Sequence, residues 1–191
     1  MTFSPTCRRH LLAAAGALPV VMLAGCGGVP LSALPRLARL PQLLLEADPA
    51  EFALALQMDM RMVPPPGEVP WLILQVRPSA GSRVEPLDRR LALQQAVARA
   101  TPVGLAAAPA GRRWLLYTLP PATQVELSRL QALARTLRAD AQGKGGGTLS
   151  VGIEQAALAS PDPALAETRW DTWLQTRQAD GFFEVWSGTL A

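Results

Sequence analysis

The chain has 191 residues, 18 basic against 15 acidic side chains, one histidine and two cysteines. Its length suits a single domain that buries a substantial core, and a net charge of +3 from scattered groups argues against a nucleic-acid partner. One imidazole and two thiols leave little room for histidine catalysis, soft-metal binding or a disulfide framework.

The first element is a leader. Arg8 and Arg9 form a positive start, residues 11–23 an apolar run, and Ala24-Gly25 a small-residue pair before Cys26. This is the architecture of a secretory signal, and the run is shorter than the roughly 20 residues a membrane-spanning helix needs. Leu23-Ala24-Gly25-Cys26 resembles the lipobox of bacterial lipoproteins. The resemblance implies cleavage before Cys26, acylation of its thiol and usually of its new amino group, and a membrane anchor whose strength comes from two or three acyl chains together. Cys7-Arg8-Arg9-His10-Leu11-Leu12 also resembles a twin-arginine export signal, with Cys7 where Ser or Thr is usual and Leu11 where Phe is favoured, so Sec export stays open beside it. Gly27, in place of an aspartate, implies the outer membrane as destination. The expected organisation is a cleaved leader at 1–25, a lipidated tether and leucine-rich segment at 26–46, and one globular domain at 47–191.

Cleavage would remove Arg8, Arg9, Cys7 and His10, leaving a nearly neutral domain with no free thiol and no imidazole. Mechanisms that pair Ser or Cys with His would then be closed. An enzyme would depend on carboxylates, on Lys144 or on Tyr117. No metal or cofactor is expected.

Residues 27–46 carry leucines at helical spacing interrupted by Pro35 and Pro41, which predicts a broken helix lying on the domain. Alternatively the segment rests on the bilayer, with Arg36 and Arg39 at the headgroups. In residues 48–63, Phe52, Leu54, Leu56, Met58, Met60 and Met62 alternate with smaller or polar side chains, predicting a long half-buried strand. Met58-x-Met60-x-Met62 resembles thioether clusters that hold Cu(I), although core packing explains methionines on an apolar face at least as well. Pro64-Pro65-Pro66-Gly67 turns the chain. Residues 71–77 alternate as a second strand, residues 87–100 read as strand passing into loop, and residues 112–119, apolar on both faces, as a central strand.

A long amphipathic helix is predicted at about 122–142. Thr123 and Glu126 would form its capping box, and Leu127, Leu130, Leu133, Ala134, Leu137 and Ala141 its buried stripe. A strand follows at 148–155. Residues 163–176 fit helix or strand, with a terminal hairpin preferred, and Phe182 to Trp186 form a strand after the turn signal Asp180-Gly181. The fold class is therefore α+β, a mainly antiparallel sheet or sandwich with one long amphipathic helix packed on it.

Aromatic residues are the candidate ligand site. Trp170, Trp173 and Trp186 could stack sugar rings if exposed, though tryptophans more often fill cores. Asp59, Glu154, Asp171 and Glu184 lie on expected strands, each on a solvated face, and nothing in their spacing pairs them for glycoside chemistry. There is no nucleophile elbow and no phosphate loop, and Gly143 to Gly147 lack a strand-before, helix-after context. The sequence thus points to a non-catalytic binding or assembly accessory, anchored in the cell envelope through acyl chains on Cys26, with an envelope protein or glycan as partner. A histidine-independent, carboxylate-based cell-wall hydrolase is the alternative.

Overall fold

The computed structural model describes residues 28–78, 85–97, 104–140, 147–159, 162–165 and 167–189. Cys7, Arg8, Arg9, His10, the lipobox through Cys26, Ala141 and Lys144 lie outside them. The helices are α1 (Leu34–Glu46) and α2 (Pro121–Asp140). The strands are β1 (Ala53–Asp59), β2 (Trp71–Pro78), β3 (Leu87–Ala92), β4 (Gln94–Ala96), β5 (Arg112–Thr118), β6 (Gly147–Glu154), β7 (Trp170–Gln175) and β8 (Phe183–Gly188). They form a five-stranded sheet in the order β4-β5-β1-β7-β8 and a three-stranded sheet in the order β3-β2-β6. Every pairing is antiparallel. The fold is α+β and mainly β, with one longer helix.

One apolar core draws on both sheets, with Leu54, Leu56, Met58, Tyr117, Trp170 and Leu174 from the larger and Leu72, Leu74 and Leu91 from the smaller. The chain changes sheets at Leu93. Its N–H donates to Pro70 O at 3.0 Å and its side chain is buried, so β3 pairs with β2 while β4, after a single intervening residue, pairs with β5.

β1 is more buried than its alternation predicted. As the centre of the larger sheet it has neighbours on both edges, and its second face is covered as well. Ala53 and Ala55 form a small-residue floor beneath Phe182, Leu105, Trp114, Leu116 and Trp173. The loop carrying Leu105 closes over this face through Gly104, whose φ of +91° suits glycine and where a Cβ would come within 3.4 Å of Phe182 N. β1 ends at Asp59, four residues before the expected end, so the methionines part: Met58 and Met62 are buried while Met60 is 59% exposed. A three-thioether cluster is not assembled.

α1 runs through both prolines. Pro35 falls in the first turn, where a missing N–H costs nothing, and Pro41 sits inside the helix. Burial of Leu40, Leu44 and Leu45 offsets a penalty of about 3 kcal/mol for an interior proline. Because Leu40 and Leu44 belong to the main core, α1 is part of the folded unit.

α2 begins at Pro121, two residues before the expected cap, so Thr123 lies inside the first turn. The Gln124 side-chain amide donates to Leu119 O at 2.7 Å, and Glu126 instead faces Arg89 at 4.0 Å. The expected stripe holds at Leu127, which is buried, and at Leu130, which packs against the core. Leu133 is 48% exposed whereas Gln131 is buried, its Nε2 donating to Leu44 O at 2.7 Å and Ala47 O at 2.8 Å. Gln131 thereby satisfies carbonyls at the end of α1 that would otherwise be orphaned. The helix packs against α1, β3 and the 3-10 turn Pro49–Glu51 that precedes β1. Residues 163–176 resolve as a 3-10 turn, Pro163–Leu165, followed by β7, and β7 with β8 makes the expected terminal hairpin.

Candidate functional site

Strand geometry decides what the β7–β8 hairpin presents. Side chains alternate between faces, so Trp170 and Trp173, three residues apart, cannot share one. Trp170 is fully buried, and Trp186, opposite Thr172 on the core face, is 5% exposed. Its indole Nε1 is buried without an acceptor. The three tryptophans therefore do not form a stacking surface. Trp173 alone lies on the outer face, half-buried, and meets Trp114 edge to face with ring centroids 6.1 Å apart. Trp114, whose Nε1 donates to Ala106 O, was not among the expected site residues. The registers Gln57↔Trp114 and Ala55↔Trp173 bring the pair together across β1, and sequence alone does not reveal registers.

Beside this pair, the outer face turns polar. Asp171 was expected on a solvated face but is buried, because it stands opposite Gln57 on β1 and Ser187 on β8. Its Oδ1 accepts from Arg169 Nε at 2.8 Å and Ser187 Oγ at 2.6 Å, and its Oδ2 accepts from Arg112. Arg112 also donates to Gln57 O at 2.7 Å and Arg169 O at 3.0 Å. Burial pushes the Asp171 carboxyl up, but hydrogen bonds from Ser187, Arg169 and Arg112 outweigh it and hold the group below its ordinary range. The same Asp171 contact raises Arg169 further. Glu184 moves the other way, raised first by burial and then by the Asp171 charge.

Arg169, Glu184, Ser187, Gly188 and Thr189, together with Gly28, Val29 and Pro30, line an open groove of about 580 Å³. The N-terminal segment is held there by a two-bond bridge to the edge strand. Gly28 N–H donates to Ser187 O at 2.7 Å and Ser187 N–H donates to Gly28 O at 3.1 Å. The groove offers an exposed guanidinium, a carboxyl with a raised pKa, two hydroxyl side chains and backbone amides, a set suited to a polar, hydrogen-bonding ligand.

The other carboxylates are engaged elsewhere. Arg61 hydrogen-bonds to Asp59 from its side chain and backbone and lowers it to about 2, and Glu154 pairs with Arg90 at 2.8 Å. Tyr117 is buried, which raises its hydroxyl. Among the described residues there is no grouping of three or more His, Cys, Asp or Glu that could hold a metal ion, and no helix long and apolar enough to cross a membrane. Comparison with family models, with curated proteins and with solved structures finds no match for the chain.

Proposed function

We propose that this is a lipid-anchored protein of the bacterial cell envelope, facing the periplasm from the outer membrane, and that it serves as a non-catalytic binding or assembly accessory. The anchor would be Cys26, exported behind Arg8 and Arg9, and the contact surface would be the groove beside β8. The observation carrying this reading is the Gly28–Ser187 bridge. Two residues span at most about 7 Å, so acyl chains on Cys26 would emerge at the groove's rim, and whatever the groove binds would be met beside the membrane. An envelope protein or a glycan is the expected partner, with Trp173, which stands opposite Glu184 on β8, and Trp114 beside it as the aromatic pair on the outer face.

The carboxylate-based hydrolase is the second reading. It draws support from the opposite shifts of Asp171 and Glu184, a pattern that acid/base pairs share. It carries less weight because three donors already occupy the Asp171 oxygens, leaving that carboxylate poorly placed to attack a substrate or activate water.

The test is photo-crosslinking in intact cells from a photoreactive residue at position 169 or 189, with position 63 as control. Adducts from the groove positions alone are expected. Adducts from position 63 alone would overturn the assignment of the surface, and release of cell-wall fragments by the purified protein, abolished in Glu184→Gln, would favour the hydrolase.

A further inference from the structure

We infer that the outward face of α1's first half, together with Val29 and Leu31 ahead of it, is a second membrane contact that sets how the domain lies on the bilayer. The inference rests on Cys26 being the lipid anchor.

The helix divides its leucines between two surroundings. Leu40, Leu44 and Leu45 are buried against the domain, whereas Val29 is 41%, Leu31 82% and Leu34 49% exposed. Leu31 and Leu34 are three residues apart in helical backbone and so lie on the same side. Pro35 and Ala38, also exposed, extend the apolar surface along α1. A leucine held largely in water gains nothing from the fold itself, because its apolar area is not removed from solvent.

Charge is distributed to match. Arg36 and Arg39 are the only charged side chains between Gly28 and Leu45, and both are exposed. Arg36 sits 5.3 Å over the Phe183 ring, and among the described residues neither arginine forms a salt bridge. The first acid, Glu46, closes the far end of the helix, where Arg177 meets it at 3.6 Å. The end nearest the anchor is thus apolar and cationic, and the end farthest from it carries the negative charge. This is the composition of an interfacial helix that sinks apolar side chains to the headgroup boundary and places arginines among anionic phosphates.

The occupant of this surface is the bilayer interface, and geometry selects it. Gly28 is clamped to Ser187, and the five residues from Cys26 to Leu31 reach at most about 18 Å. Acyl chains inserted at Cys26 therefore hold Leu31 and Leu34 within reach of the same leaflet. Contact through α1 would also fix the direction in which the Arg169–Glu184 groove opens, alongside the membrane surface.

The test uses the lipidated protein in vesicles of equal parts phosphatidylcholine and phosphatidylglycerol with brominated acyl chains. Acylated Cys26 cannot react with a maleimide, so an environment-sensitive fluorophore reports single sites in Leu31→Cys, Leu34→Cys, Val63→Cys and Leu133→Cys, all at exposed positions. Quenching and a blue shift at positions 31 and 34, with neither at 63 or 133, are expected. Vesicle-bound protein without quenching at 31 and 34, or with equal quenching at all four, overturns the docking and leaves the anchor standing. If the unsubstituted mature protein takes up the label at Cys26, the anchor itself fails and the docking falls with it.

Discussion

Replacing Asp171 by Asn removes one charge and little volume, which isolates what the buried carboxylate contributes. Its side chain is 9% exposed and that of Arg112 23%, whereas that of Arg169 is 67% exposed. The Arg169 pair, largely in water, contributes at most about 1 kcal/mol. The Arg112 pair is mostly withdrawn from water, and breaking a fully buried pair costs about 3–5 kcal/mol. Arg112 keeps its bonds to the carbonyls of Gln57 and Arg169, so its charge is not left without acceptors. The expected loss is therefore about 2–3 kcal/mol near neutral pH. Urea unfolding followed by tryptophan emission measures it, since Trp170 and Trp186 are buried and the midpoint shift at constant slope gives the difference. The pH dependence is the sharper criterion. The Asp171 pKa is lowered from 3.8 by folding, so its stabilisation is fully present above the ordinary carboxylate range and is lost as pH falls through the lowered value. The gap between wild type and Asp171→Asn should close in acid. A neutral-pH difference under about 0.5 kcal/mol, or a gap undiminished near pH 2, would refute the assignment of Asp171 as the ionised centre of this network.

Gln131→Leu should lower stability by about 1–3 kcal/mol in the same assay, because Leu44 O and Ala47 O lose their donor while remaining buried; an unchanged midpoint would mean that these carbonyls have other partners. Glu184→Gln should raise the thermal midpoint near neutral pH, since a carboxyl whose pKa folding raises is destabilising when ionised. That gain should vanish below the ordinary carboxylate range, and a lower midpoint at neutral pH would show that the Glu184 charge has a favourable partner.

The strands were legible where one face is apolar and the other is not. β2 and β6 follow their alternation because the period of two carries that information locally, whereas a register shift against β7 turns both Val185 and Trp186 of β8 into the core; the preference for a hairpin over a helix in residues 163–176 follows from the β-formers around Trp170 and Trp173. α2 was legible as a helix with Leu127 and Leu130 on its buried side, but not in full detail. Leu133 and Gln131 exchange the roles that hydropathy assigns them because the end of α1 needs a hydrogen-bond donor, and no local pattern announces a carbonyl that lies 87 residues away in the chain. The continuity of α1 through Pro41 was hidden for a similar reason: the compensating burial lies in the core, not in the segment.

The candidate site was less legible than the fold. The odd spacing of Trp170 and Trp173 would have separated them once residues 170–175 were taken as a strand, but Trp114 joins Trp173 only through strand register. Asp171 looks like any polar residue in an alternation until β1 and β8 bring Gln57 and Ser187 alongside it and Arg112 reaches over. The sequence by itself determined the period of the strands that have one apolar face, and the helical character of α1 and α2, since each is written in neighbouring residues. Only the tertiary structure decided which strands adjoin, which side chains lose water, and that Gly28 bridges to Ser187 at the groove, because register and burial belong to segments that meet in space from distant parts of the chain.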